Sequence, residues 1–203
     1  MLLVRHGETA TTGVTLSGQA PGLHLADTGH RQAEALAERI GRLKTVAAVY
    51  ASPLERAQET AAPIAKTRNL EVRMDAGLAD GDFGQWTGME LRQLHKKPEW
   101  KLVQRHPSGF RFPGGESFTE MQARMTSTLG RLVASHPGET IVAVSHADPI
   151  RVAVAHALGA PLDLFQRVVV STGSVTAIAY GFNGPVVLTV NSTDGDLAGL
   201  GRS

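Results

Sequence analysis

The chain has 203 residues, 42% hydrophobic and 19% charged, which fits one well-buried soluble domain over 1–203 and excludes a disordered or fibrous protein. With 20 Lys and Arg against 19 Asp and Glu the net charge is +1, so no global field draws nucleic acid or an anionic membrane surface. Cysteine is missing, which excludes disulfides and thiolate chemistry and fits a reducing compartment, with the cytoplasm the expected location.

Residues 2–4 are a short apolar run that stops at Arg5-His6-Gly7, and this predicts a buried strand ending in a polar loop. A charge is reached at Arg5 before any apolar core of signal-peptide length, and no later run approaches a membrane span. Asp27 and Thr28 are candidate caps for a helix with Ala33, Leu36, Ala37 and Ile40 at helical spacing and Gly41 near its end. Residues 46–51 predict a second buried strand, followed by the turn Ser52-Pro53 and a helix over about 54–66.

Residues 78–88 are rich in Gly and Asp without periodicity, and predict a loop. The stretch at about 89–113 mixes charges, aromatics and prolines, and reads as a lid-like surface excursion with one short helix. Gly115-Glu116-Ser117 then opens a long helix to about Ser135, with Met121, Met125, Leu129, Leu132 and Val133 on one face as core. Residues 141–145 predict a third buried strand, followed at once by His146 and by a helix over 150–158. Further strands are expected at 168–170, 175–180 and 186–190, and from Asp194 the chain reads as frayed.

Short apolar strands alternating with helices predict a three-layer α/β/α sandwich around a mainly parallel central sheet. Ligands of such sheets sit at the carboxyl ends of the strands. That rule groups residues far apart in sequence: Arg5 and His6 after the first strand, Ser52 and the loop to Arg56 after the second, His146 after the third. Arg5 and Arg56 can each make bidentate, charge-assisted bonds to phosphate oxygens. The Gly7 N–H, and the Ala147 N–H at the start of the next helix, are candidate anion donors. His6 is then a candidate nucleophile, kept neutral by the nearby cations. Each residue alone has a bland reading, since an Arg-His pair in a loop is ordinarily a solvated feature; their convergence is what carries the inference.

The segments LVRHGET, SPLERAQETA, LADGDFGQWTG, PGGES and VSHADPIR, in this order and across nearly the whole chain, resemble the histidine phosphatase superfamily. That superfamily includes the cofactor-dependent phosphoglycerate mutases, and the compact chain resembles its phosphatase branch. The resemblance implies a phosphoglycerate mutase-like fold, with the phosphorylated histidine at His6, phosphate-binding arginines at Arg5 and Arg56, and the second histidine at His146. It puts the proton donor at Asp80, where the family usually has Glu, with Asp82 as a substitute. Thr12 stands where the family often has Asn and is the candidate for that phosphate contact, and VSTGSVT lacks a further Asn often seen before the last strands.

The implied activity is metal-independent hydrolysis of a small phosphorylated metabolite through a phosphohistidine intermediate, with no metal site, no cofactor, and neither nucleic acid nor membrane as partner. The oligomeric state stays open. Two alternatives share the same residues: a phosphoglycerate-type phosphomutase, and a non-catalytic phosphate-binding module that the Asp80 substitution keeps in view. Glu8 is expected to orient an arginine, Glu116 to sit in a helix first turn, and His95, His106 and His136 to be solvated. The excursion carries Arg92, Lys96, Lys97, Lys101, Arg105 and Arg111 against Glu90 and Glu99, either a positive field over the site or a solvated basic loop.

Overall fold

The structure, a computed structural model, describes residues 1–200. Strands β1 (Leu2–Arg5), β2 (Ala48–Ala51), β3 (Val72–Met74), β4 (Ile141–Ser145), β5 (Val175–Gly181) and β6 (Gly184–Ser192) form one sheet in the order β3-β2-β4-β1-β5-β6. The four strands from β3 to β1 run parallel, and β5 and β6 add an antiparallel edge.

The helices are α1 (Asp27–Gly41), α2 (Glu55–Thr67), α3 (Leu91–Leu94), α4 (Trp100–Arg105), α5 (Phe118–Ala134) and α6 (Ala147–Ala157). The period-2 alternation of the strands sorts the core into layers. Leu2, Val4, Val49, Ala51, Val142 and Val144 face α1 and α2, packing on Leu36, Ile40 and Ile64. Leu3, Ala143 and Ile178 face the other way, onto Met121, Met125 and Leu129 of α5 and Ile150 and Val154 of α6. Both faces are covered, which is why these strands read as continuous apolar runs. No helix among the described residues is long and apolar enough to cross a membrane.

Several expected elements are placed differently. The edge strand β3 was not anticipated: its three residues are short, partly exposed and interrupted by Arg73, so no buried-strand pattern marks them. Residues 168–170 are not a strand, because their carbonyls serve arginines instead of a ladder: Val168 O accepts from Arg151 Nε and Val170 O from Arg5 Nη1. Neither Asp27 nor Thr28 caps α1, whose N-cap is Ala26 with no side-chain bond. The α5 cap is Ser117, in a reciprocal capping box with Glu120.

Helix α6 begins at Ala147 rather than 150, since Pro149 falls in the first turn, where a missing N–H costs nothing. The excursion holds two short helices, α3 and α4, rather than one. Residues from Asp194 to Leu200 are not frayed: Arg39 donates to the carbonyls of Ser192, Asp194 and Gly195, and Leu197 is buried against the α1 and α2 side of the sheet. The expectation for 201–203 lies outside the described residues.

Candidate active site

Because β2, β4 and β1 are adjacent and parallel, their carboxyl ends deliver Ser52, His146 and His6 side by side. The ladder continues past the strand ends, with His6 N donating to Ser145 O (3.0 Å) and Ser52 N to Val144 O (2.9 Å). The two imidazole centroids lie 5.0 Å apart. Above them opens a cleft of about 240 Å³ lined by Arg5, His6, Thr12, Arg56, Asp80 and Ala147, among others.

The protonation pattern of His6 follows from its neighbours. Nδ1 lies 2.7 Å from the Gly7 carbonyl, which can only accept, so Nδ1 carries the proton. Nε2 then holds a lone pair, and it accepts from Arg56 Nε at 3.3 Å. Burial, then Arg56, push the His6 pKa down to about 3, against the pull of the Gly7 carbonyl. A neutral imidazole with its lone pair facing a guanidinium is the state a nucleophile requires.

His146 is also buried, and burial, with His6 and Arg56 next, holds its pKa well below the usual value. Its Nε2 lies 2.8 Å from Ser52 Oγ, which accepts from Leu54 N at 3.3 Å. Where the Ser52 hydroxyl donates to Nε2, the ring proton sits on Nδ1, 3.7 Å from Asp80 Oδ2.

Arg56 is buried, donating from Nη2 to Gly18 O at 2.6 Å and to Asp80 Oδ2 at 3.2 Å. Arg5 is anchored by Nη1 to Val170 O at 2.7 Å. Arg5 Nε, Arg56 Nη1 and His146 Nδ1 are buried without a hydrogen-bond partner among the described residues. Buried donors left unpaired are costly, and three on neighbouring residues suit a multivalent anion.

Asp80 receives Gly81 N on Oδ1 (2.9 Å) and Arg56 on Oδ2, yet its pKa is pushed up to about 6. Burial is the main cause; Arg56 opposes it and Asp148 adds to it. Such a carboxyl can hold a proton near neutrality and release it. Asp82 is exposed and turned into its own loop, accepting Gly84 N at 3.0 Å, while its N–H donates to Glu116.

One expected donor is committed elsewhere. The Gly7 N–H donates to Thr60 Oγ1 at 3.0 Å and is not available to an anion. Gly7 is needed instead for close approach, since a Cβ there would lie 2.5 Å from the Gly29 carbonyl oxygen. Thr12 lines the cleft, and its hydroxyl accepts Thr9 N and bonds Thr9 Oγ1, both at 3.0 Å. Ala147 N begins α6, among the N–H groups that have no partner within a helix. Glu8 forms no ion pair with an arginine among the described residues; its N–H is held by Gln32. His95 and His106 are exposed, whereas His136 is largely covered and bonds Tyr50 and Glu139.

Glu116 precedes α5 rather than entering its first turn. It accepts from Arg124 (2.7 Å) and from Asp82 N (3.0 Å), and Arg124 donates to the carbonyls of Gly77, Ala79 and Asp80. This pair clamps the loop that carries Asp80. Arg124 gave no signal in sequence, being one polar residue on an amphipathic helix. Asp148 and Arg151, paired at 2.9 Å on α6, also line the cleft, and their spacing was visible in VSHADPIR. No group of three or more His, Asp or Glu among the described residues is arranged to hold a metal ion.

The chain is similar to known proteins along nearly its whole length. The chain is 32% identical over 198 residues to phosphoserine phosphatase 1 of Hydrogenobacter thermophilus, covering 95% of this chain and 92% of that protein. It is 33% identical over 197 residues to a bifunctional protein of Mycobacterium tuberculosis, covering 95% of this chain and 54% of the relative. The chain thus spans about half the length of that relative and of two further mycobacterial proteins.

Among solved structures, the mycobacterial glucosyl-3-phosphoglycerate phosphatase superposes with a TM-score of 0.85 at 26% identity, covering 95% of this chain and 98% of that one. The alpha-ribazole phosphatase of Shigella flexneri gives 0.83 at 27%, covering 95% and 96%. The sequence model of the histidine phosphatase superfamily (branch 1) matches residues 1–193, and the chain belongs to that family.

Proposed function

We propose that this protein hydrolyses phosphomonoesters of small metabolites through a phosphohistidine at His6. The observation that carries this reading is the convergence of a bare His6 Nε2 with the unpaired donors of Arg5, Arg56 and His146. The phosphatase names of the relatives support the same class.

The lone pair of Nε2 attacks phosphorus in line while the bond to the leaving oxygen breaks. Arg5, Arg56 and His146 Nδ1 meet the charge on the phosphoryl oxygens, a role for which their positions are fixed before substrate arrives. Arg56 exchanges its contact with Nε2 for a phosphoryl oxygen as the N–P bond forms. Asp80 gives its proton to the departing alkoxide. In the second half, water attacks phosphorus and yields its proton to the Asp80 carboxylate. The P–N bond breaks, inorganic phosphate leaves, and neutral His6 and protonated Asp80 are restored. The guanidinium groups supply the charge that a metal ion supplies in other phosphatases, so activity persists in EDTA.

Brief exposure to a labelled phosphomonoester, quenched in alkali, leaves label on the wild-type chain and releases inorganic phosphate. His6→Ala loses both. Label retained on His6→Ala overturns the assignment.

A further inference from the structure

Beside the phosphate cleft lies a second cavity of about 310 Å³. Leu16, Phe83, Leu91, Asp148 and Arg151 line both, so the two adjoin. The outer wall comes from the excursion, through Trp100 and Val103 of α4, and Phe112 and Phe118 lie beneath. Gln104 and Gln166 are its uncharged polar groups.

An aromatic cluster holds this wall. Trp100 stacks on Trp86 at 6.2 Å, and Trp86 contacts Phe110 and Phe112. Every Trp and Phe in the chain except Phe182 belongs to this connected set. The basic residues of the excursion face elsewhere and line neither cavity. Arg92 pairs with Glu90, Arg111 with Glu120, and Lys97 lies over the Trp86 ring, 5.9 Å from its centroid. The cation at the neck, Arg151, is already matched by Asp148 at 2.9 Å and by Val168 O at 3.0 Å.

We infer that this annex receives the alcohol part of the substrate and selects an apolar, ring-sized body over alcohols that carry a second charged group. The inference rests on the hydrolase reading for which end of the ester enters the cleft. An apolar ring moved from water onto Trp100, Val103 and Leu91 gains binding in proportion to the area buried. A carboxylate taken there is stripped of water while the nearest cation is engaged by Asp148. Together these give a preference on the order of tenfold or more.

The test compares 2-phenylethyl phosphate, O-phosphoserine and ethyl phosphate, which all leave as primary alcohols. In the wild type, kcat/KM for 2-phenylethyl phosphate exceeds that for phosphoserine at least about tenfold. Trp100→Ala lowers that ratio several-fold, chiefly through KM, and Trp100→Phe restores it. Gln104→Lys, at an exposed position, shifts preference toward phosphoserine without risk to the core. Calorimetric binding of the three esters to the His6→Ala chain reads the annex without catalysis. Equal binding, or ratios unmoved by Trp100→Ala and Gln104→Lys in folded protein, overturns the inference. If no ester is hydrolysed while the binding preference persists, the hydrolase reading fails and the annex stands.

Discussion

The phosphate cleft and the annex beside it meet at Leu16, Phe83 and Leu91, yet different parts of the chain build them. The cleft is made at strand ends, where His6, Ser52 and His146 are fixed by the ladder of three adjacent strands and by the bond between Ser52 and His146. The outer wall of the annex is made by short helices and turns of a surface excursion, held by packed aromatic rings. Phosphoryl transfer needs its groups placed to within fractions of an ångström, which a sheet supplies. Selection of the alcohol needs a shaped apolar surface, which an excursion can vary without disturbing the sheet.

The largest expected effect tests the cleft side. Asp80→Asn removes the proton donor and slows phosphorylation of His6 by alkyl phosphates by about 100- to 10,000-fold, while sparing the initial burst of p-nitrophenolate from p-nitrophenyl phosphate, whose leaving group needs little protonation. The sign of the pH dependence follows from the raised carboxyl. Asp80 must be protonated to act, so kcat/KM for an alkyl ester falls as pH rises through about 6. His6, with its pKa near 3, stays neutral above that value and contributes no fall across the same range. The limb near pH 6 is absent from Asp80→Asn. A limb that moves instead with Asp82→Asn would reassign the acid to Asp82.

A smaller effect is expected one layer out. Arg124→Leu releases the carbonyls of Gly77, Ala79 and Asp80 and lets the acid drift, lowering kcat for alkyl phosphates by about 10- to 100-fold. The loss for p-nitrophenyl phosphate is smaller, and that difference separates loss of positioning from general damage. Equal losses with both esters would make Arg124 a stabilising residue alone.

The smallest effect concerns the outer face of the excursion. Neutralising Lys96, Lys97 and Lys101 together changes the relative kcat/KM of singly and multiply charged esters by less than about twofold, since screened surface charges act weakly at a distance. A larger, salt-dependent change would show that the excursion acts on the substrate through its field as well as through its apolar face.

The helical face of α5 and the apolar runs of β1, β2 and β4 were legible because each is a local pattern with a fixed period, and the strand-end rule then grouped His6, Arg56 and His146. The motif from Leu78 to Gly88 marked Asp80 as acid by resemblance, but its nearly neutral pKa depends on burial and on Arg56 and Asp148, which no local pattern reports. The run at 168–170 has strand composition, yet Arg5 and Arg151 claim its carbonyls from 165 and 17 residues away. Gly7 is a candidate phosphate donor from its place just past a strand end, but the competing acceptor, Thr60, lies 53 residues on.

The amino-acid sequence by itself determined the alternation of strands and helices, the chemical identity of the groups at the strand ends, and the family. Those depend on side-chain periodicity and on residue type, which are properties of short segments. The tertiary structure alone decided which donors remain unpaired, which nitrogen of His6 is bare, how Arg124 holds the Asp80 loop, and which face of the excursion turns toward the cleft. A hydrogen-bond partner or a desolvating wall is set by what long-range packing brings within a few ångströms, and sequence spacing carries no measure of that distance.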